Sequence, residues 1–258
     1  LTPETKRKLK LVPVSSSDGT IAAIMMDRNL GAYEAAVNAI PKDMLTMSRN
    51  NGFHFQKGRK DPFPSSYTTQ KLPSVYKFTL SADAPPKHIM NRYKPDGFHA
   101  VVPKSIGSGA VSLQTAYRSP VSIAGNGGTQ WCTDNPLPLW GTTKTIHDPC
   151  PAGWRVPQKS ELTVLVNRNA TAISTSAQND GGILLKYDDT GNKFYVRFTG
   201  YPPAIYQLNN VGVVGYVSAI ESMSVFKVDG INGNSKPEIS GLRDYDAHTT
   251  RCVQEKIE

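Results

Sequence analysis

Apolar and polar residues alternate along several short segments of the chain, which is the pattern of strands with one buried face. The clearest pair is residues 183–187 and 193–199, because they flank the turn sequence DDTGN at residues 188–192 and so predict a hairpin. The same pattern predicts further strands at residues 20–26, around Phe53 and Phe55, at 216–220 paired with 224–228, and at 249–254.

A helical period appears only after residue 157. Leu162, Leu165 and Val166 fall on one face of a helix that the pattern predicts for residues 158–167. Pro157 or Ser160 can start this helix, and residues 167–169 can end it.

Directly before this helix, residues 145–157 read TIHDPCPAGWRVP. Each proline fixes φ and removes a backbone donor, so the segment cannot lie inside a helix or a central strand. We predict a rigid, irregular crossing. Since ordering a loop must be offset by buried area and constraint, we expect the ring of Trp154 to be buried and the sulfur of Cys150 to be cross-linked.

The least regular part of the chain is residues 65–130, where Pro, Ser, Gly and Lys dominate and only residues 76–80 and 110–113 have strand character. Compact domains rarely leave so long a span without structure, so it is either an elaborated insertion or it contains elements that the pattern does not reveal. Insertions of this kind often carry the specificity of a binding protein. Residues 1–19 suit a linker or an edge strand from an upstream domain. Residues 20–258 are then predicted to form one domain.

The chain has 258 residues and a net charge of +8, and its basic residues cluster in two places. Neither cluster has interleaved aromatic residues or a known nucleic-acid-binding signature, so we expect a solvated basic surface that attracts acidic groups, and no nucleic-acid partner. No apolar run approaches the roughly 18 residues of a membrane span. The clusters are Lys6, Arg7, Lys8 and Lys10, and Lys57, Arg59 and Lys60.

Several residues that suggest chemistry have a structural explanation that we favour. Asp27 and Arg28 are adjacent at a strand end, where a structural ion pair or a turn contact is commoner than acid and base catalysis. His54 has no second ligand at metal-binding spacing, so a solvent-facing or hydrogen-bonded histidine is expected. Trp131 and Trp140 are expected in the core rather than stacked on a sugar.

The sequence contains no HExxH motif, no phosphate-binding glycine loop and no GxSxG motif, so we predict no catalytic residue, no metal and no cofactor. The spacing of Cys132, Cys150 and Cys252 excludes the usual zinc patterns. One disulfide and one spare thiol is the simplest assignment, and it implies an oxidising compartment.

A set of motifs occurs in a specific order along the chain. The motifs are MDRNLGA at 26–32, FQKGRKDPFP at 55–64, a Trp-Cys pair at 131–132 followed by LWG, KTIHDPCPAGWRVP at 144–157, and RCV at 251–253. In this order they resemble the secreted Bacteroidetes domains similar to the Fibrobacter succinogenes major paralogous domain, which are found on fimbrillin-like pilus-tip and other cell-surface proteins. The resemblance covers residues 20–258.

The resemblance implies an α+β, C-type-lectin-like fold with twisted antiparallel sheets, one main helix and long loop insertions. It implies a non-enzymatic adhesion or pilus-tip module, located outside the cell on the outer membrane surface or on a pilus. Other pilus or cell-surface subunits and a host glycan or protein are the expected partners. The alternative is a catalytic domain similar to the formylglycine-generating enzymes, which needs a reactive cysteine pair near a substrate groove.

Together with this resemblance we predict a disulfide between Cys150 and Cys252 that ties the crossing to the last strand and leaves Cys132 reduced. Trp154 and Trp140 are predicted to be structural anchors.

Ligand binding is expected from the loops. Tyr201 and Tyr206, with the insertion at residues 65–130, are predicted to offer exposed aromatic area, and Arg59 and Lys60 to attract acidic groups. We expect no calcium-dependent sugar site of the lectin type, because residues 134–136 lack the WND-like partner strand that supplies further oxygen ligands.

Overall fold

The structure is a computed structural model that describes residues 9–35, 49–64, 75–77, 106, 109–119, 123–124, 131–134, 139–171, 173–174, 181–202, 207–229, 234–244 and 246–256. Strands account for 34% of the structure and helices for 12%, in several small antiparallel sheets. The fold is therefore mostly β, and the α+β, C-type-lectin-like architecture that we expected is wrong. The main helix has 10 residues and packs against the largest apolar cluster, and most of the remaining regular structure that is described is strand.

A four-stranded antiparallel sheet joins segments from both ends of the described chain. Its spatial order is β1-β2-β16-β6, so β1 and β6 are the edge strands. The residue before β16 extends the pairing, because the N–H of Met26, at the end of β2, donates to the carbonyl of Cys252 over 2.9 Å. The strands are β1 (Leu11–Ser15), β2 (Ile21–Met26), β6 (Trp154–Arg155) and β16 (Val253–Gln254).

The crossing at residues 145–157 is organised by the carboxylate of Asp148, which is fully buried. This carboxylate accepts the N–H of Cys150 over 2.8 Å and the N–H of Val156 over 2.9 Å. The ammonium group of Lys144 lies 3.1 Å from it and also donates to the carbonyls of Cys150 and Trp154. Side chains therefore satisfy backbone groups that the prolines prevent from entering a regular element.

The helix α2 (Lys159–Arg168) confirms the prediction within one residue. The N–H of Gln158 donates to Glu161 over 2.7 Å, and the N–H of Lys159 donates to Glu221 over 2.7 Å. Two carboxylates thus satisfy donors at the helix start. Leu162 and Leu165 are buried as predicted.

The remaining strands of the described residues form five small antiparallel sheets. A meander has the order β11-β12-β14, and a second three-stranded sheet has the order β15-β3-β4. Three pairs complete the set: β8 with β9, β10 with β5, and β13 with β7. The strands are β3 (Phe53–Gln56), β4 (Pro62–Pro64), β5 (Val75–Lys77), β7 (Ile173–Ser174), β8 (Gly182–Lys186), β9 (Lys193–Arg197), β10 (Gln207–Asn209), β11 (Val214–Ser218), β12 (Val225–Asp229), β13 (Asn234–Ser235), β14 (Pro237–Ser240) and β15 (Ala247–Thr249).

Local predictions of strands agree with the structure, and one longer prediction does not. The hairpin β8–β9 and the pair β11–β12 are confirmed. The predicted terminal strand at residues 249–254 is instead divided, since β15 joins one sheet and β16 another. A single strand was the wrong prediction because the break at residues 250–252 follows from distant partners rather than from the local pattern.

The apolar side chains form separate clusters. The largest lies under α2 and includes Val14, Met25, Phe194 and Phe226. A second cluster contains Trp131 together with residues of β4 and of the short helix α1 (Leu113–Arg118). Ala116 and Ile123, which fall in the predicted insertion, are fully buried in it. This described part of residues 65–130 is therefore core rather than exposed loop.

The third cluster surrounds the disulfide between Cys150 and Cys252. Trp140 is 1% exposed in it, and its indole N–H donates to the carbonyl of His147 over 3.0 Å. Trp154 packs against the cluster but stays half-buried. The disulfide prediction is confirmed, and Cys132 is the free cysteine.

Replacing Cys150 and Cys252 together with serine is expected to lower the free energy of unfolding by about 4 to 5 kcal/mol, because the closed loop of about 100 residues would no longer restrict the unfolded chain. Urea unfolding measures this loss. Cys132→Ser is the control, with an expected change below about 1 kcal/mol. Peptide mapping that finds the single reactive thiol at Cys150 or Cys252 would contradict the pairing.

Candidate functional site

A groove opens beside the start of α2 and has a volume of about 770 Å³. Its walls come from the first turns of α2, from Thr142 and Thr143, from β2, and from residues 255 and 256 after β16. A second depression of about 360 Å³ shares Ala22, Glu161 and the residues after β16, and continues along β2 as far as Ile24. We refer to the two together as the helix groove. Its volume is in the range of small-molecule sites.

An ion pair between Arg155 and Glu161 forms one wall of the helix groove. The two N–H···O contacts measure 2.9 and 2.6 Å, and both residues are more than 90% buried. Arg155 lies on β6 and Glu161 lies in the first turn of α2, so the ion pair links the four-stranded sheet to the helix. Paired in this way, neither side chain adds net charge to the groove.

Sequence reasoning missed the helix groove. Its members lie on four segments, and no period or motif marks Thr142, Thr143 or Ser160. The only local signal was Glu161 three residues after Gln158, which is the spacing of a helix-capping pair. That signal predicts where a helix starts but gives no indication of a cavity.

Arg59, predicted to attract acidic ligands, is fully buried. Its guanidinium group contacts Asp61 over 2.8 Å and donates to Gln56 and to the carbonyls of Ala116 and Ser119. It also lies over the rings of Phe63 and Trp131, at 5.4 and 5.8 Å from the ring centroids. Arg59 is therefore a structural residue of the second cluster, and only its neighbour Lys60 is exposed.

Tyr201 is half-buried rather than presented on a free loop. Its ring packs edge-on against Tyr216 at 5.5 Å between centroids and lies 5.5 Å from the ring of His248. Tyr206 lies outside the described residues. The predicted ligand-binding set of Tyr201, Tyr206, Arg59 and Lys60 is therefore not brought together by the part of the chain that the structure describes.

Other side chains singled out in the sequence are structural. Arg28 forms two contacts with Asp27, of 2.7 and 3.1 Å, which confirms the ion pair. His54 is buried, with Nε2 2.9 Å from the carbonyl of Gly200, so the hydrogen-bonded alternative is correct and the solvent-facing one is wrong. A carboxylate oxygen of Asp134 accepts the N–H of Leu113 over 2.8 Å at the start of α1.

A compact cluster of titratable residues lies elsewhere, beside Trp140. Lys57, Asp244, Asp246 and His248 line a cavity of about 10 Å³ there, which is room for about one water molecule. The ammonium nitrogen of Lys57 lies 3.7 Å from Asp244, and burial lowers the pKa of Lys57. We refer to these four residues as the polar cluster.

Two members of the polar cluster titrate in opposite senses. Burial raises the pKa of Asp246 to about 7 from 3.8, so between these values the folded state holds a proton that the unfolded chain releases, and stability falls as pH rises. Burial, and then the nearby His54, lower the pKa of His248 to about 3 from 6.5. Between these two pKa values the unfolded chain binds a proton that the folded state does not bind, so His248 makes the free energy of unfolding rise with pH. The two contributions offset each other between pH 3.8 and 6.5.

Within the described ranges no group of three or more His, Cys, Asp or Glu residues is placed to hold a metal ion. A search of the same residues finds no helix with the length and apolar character needed to cross a membrane.

Comparison of the chain with protein-family models, with curated proteins and with solved structures finds no match in any of the three. The resemblance carried by the sequence motifs therefore remains a hypothesis about function.

Replacing Arg59 with alanine is expected to lower the free energy of unfolding by about 3 kcal/mol or more, because it leaves the Asp61 carboxylate and two backbone carbonyls without their buried donor. Lys60→Ala, one residue away and exposed, is the matched control with an expected change within about 0.5 kcal/mol. Chemical denaturation of both variants provides the comparison. Equal losses would show that Arg59 has no special structural role.

Asp246→Asn is expected to remove the contribution to stability that falls as pH rises, and to leave the contribution of His248, which rises with pH. The stability of the variant should then rise between pH 4 and 6.5 by on the order of 1 to 3 kcal/mol relative to the wild-type protein. His248→Gln should produce the reverse trend. Urea midpoints measured across this pH range distinguish the cases, and parallel profiles for all three proteins would contradict the assignment.

Proposed function

We propose that the protein is a non-enzymatic binding module that works outside the cell. The observation that carries the proposal is the disulfide between Cys150 and Cys252, which lies inside a hydrophobic cluster and joins the proline-rich crossing to β16. Such bonds form and persist in oxidising compartments and are rare in the reducing cytosol.

The finer proposal is a component of a bacterial cell surface or of a pilus tip, exposed at the outer membrane, with other surface subunits and a host glycan or protein as partners. The sequence resemblance supports it, and so does the position of its motifs. The segments MDRNLGA and RCV meet although they are far apart in the chain, since Arg251 donates to Asn29 over 2.9 Å. The segment DPCPAGW is joined to RCV by the disulfide between Cys150 and Cys252.

A glycine in the first of these motifs is required by the packing. Gly31 has φ of +83°, and an added Cβ would lie 2.0 Å from the ring of Phe53. This motif therefore reflects close packing beside the third cluster rather than a reaction. The enzymatic alternative needs a pair of reactive cysteines, whereas Cys150 and Cys252 are bonded to each other and buried, so they do not supply one.

The test is to express the complete gene product in a bacterium with an outer membrane and to determine where it accumulates. We expect protease accessibility on intact cells and an oxidised Cys150–Cys252 pair in the recovered protein. The double serine variant should reach the surface in reduced amount, while Cys132→Ser should match the wild-type protein. Retention in the cytoplasm with reduced cysteines would refute the proposal, as would turnover of a small substrate that a single polar substitution abolishes.

A further inference from the structure

The pairing of β3 with β15 brings the polar cluster together. In this antiparallel ladder Ala247 lies opposite Gln56. The same register, continued by one position, places Asp246 opposite Lys57, and residues directly opposite each other share a face of the sheet. Asp246 and His248 are two positions apart along one strand, so they share a face as well. All three side chains line the same small cavity at the end of this ladder.

Each of these three side chains has a buried polar atom without a hydrogen-bond partner in the part of the chain that the structure describes. The atoms are Nζ of Lys57, Oδ1 of Asp246 and Nε2 of His248. Asp246 is 6% exposed and His248 is 3% exposed, so bulk solvent does not satisfy them. Since nearly all buried polar groups of folded proteins bond to protein or to an ordered water molecule, these three atoms require a common partner.

Asp244, the fourth member of the cluster, does not provide that partner. Its carboxylate accepts the N–H of Met223 over 2.8 Å and the hydroxyl of Ser222 over 2.5 Å, in the loop between β11 and β12. The ammonium nitrogen of Lys57 lies 3.7 Å from it, which is longer than an N–H···O hydrogen bond of about 2.7 to 3.2 Å. Asp244 therefore balances the charge of Lys57 without satisfying its donors.

The size and the charges of the cavity decide what can fill this role. Its volume of about 10 Å³ is close to the smallest that holds one water molecule, and far below the roughly 300 Å³ of the smallest organic-ligand sites. The ammonium group of Lys57 repels a cation, and the carboxylate of Asp244 repels an anion. A water molecule is neutral, and it both donates and accepts hydrogen bonds.

We infer that the polar cluster binds one internal water molecule, which accepts a hydrogen bond from Nζ of Lys57, donates one to Oδ1 of Asp246 and contacts Nε2 of His248. Three polar partners are the usual number for a buried water molecule. This water joins the end of β3 to β15 beside Trp140, which also lines the cavity. The inference is independent of the proposed function, because it concerns a site inside the fold.

The experiment is oxygen-17 magnetic relaxation dispersion on the purified, oxidised protein, which counts the water molecules that stay bound longer than the protein takes to tumble. Asp246→Leu replaces the acceptor with an apolar side chain and is expected to lose one long-lived water molecule. Asp246→Asn keeps an oxygen at this position and is the matched control that retains it. His248→Phe keeps an aromatic ring beside Tyr216, 5.0 Å away between centroids, but removes Nε2 and fills the space next to it. The same loss is expected.

Thermal melts identify which variants are folded. A loss of one long-lived water molecule in either folded test variant, with retention in Asp246→Asn, supports the inference. Equal dispersion amplitudes for the wild-type protein and every folded variant overturn it. A high-resolution crystal structure of the wild-type protein decides the question without any variant. Density for a water oxygen within about 3.2 Å of the three atoms supports the inference, whereas an ion at this position or a direct hydrogen bond between Lys57 and Asp246 overturns it.

Discussion

The architecture depends on the hydrogen bonds and the ion pair that the carboxylate of Asp148 accepts. It lies in the proline-rich crossing, whose only described regular element is the two-residue strand β6, and it accepts two backbone N–H groups of the crossing and the ammonium group of the adjacent Lys144. This fixed turn holds Cys150 opposite Cys252 and leads directly into β6 and α2. The Arg155–Glu161 ion pair then joins β6 to the helix. The same fixed turn therefore positions the disulfide, the four-stranded sheet and the helix groove.

Several arginine side chains are buried inside this protein. Arg59, Arg197 and Arg251 are among the largest fully buried side chains, and each lies over an aromatic ring. Burial lowers the pKa of Arg251 to about 9, and its donors reach Asn29 and the carbonyl of Tyr195. A planar guanidinium group can join several backbone segments at once, which suits a fold built from many short strands.

Sequence reasoning succeeded where a structure is determined locally and failed where it depends on distant partners. Helix α2 and the hairpin β8–β9 follow from periods and turn residues inside one segment. The burial of Arg59 depends on Asp61, on the carbonyl of Ala116 and on Trp131, and no local pattern encodes these together. The helix groove is a space between four segments, so it has no sequence signature. The lectin-like architecture was wrong because the motifs describe one packed centre, whereas the sheets around it are set by pairings that the motifs do not contain.

The disulfide also determines how the molecule responds to mechanical force. β1 and β16 belong to the same sheet, so a pull applied at the two ends of the described chain acts first on the strand pairs of that sheet. The bond joins two cysteines separated by 102 positions, and the chain between them carries none of the load once the sheet has opened. The meander, the hairpin β8–β9 and helix α2 lie within that covalently bypassed segment. Tension can therefore lengthen the protein only through the residues before Cys150 and after Cys252, while the helix and meander remain outside the load path.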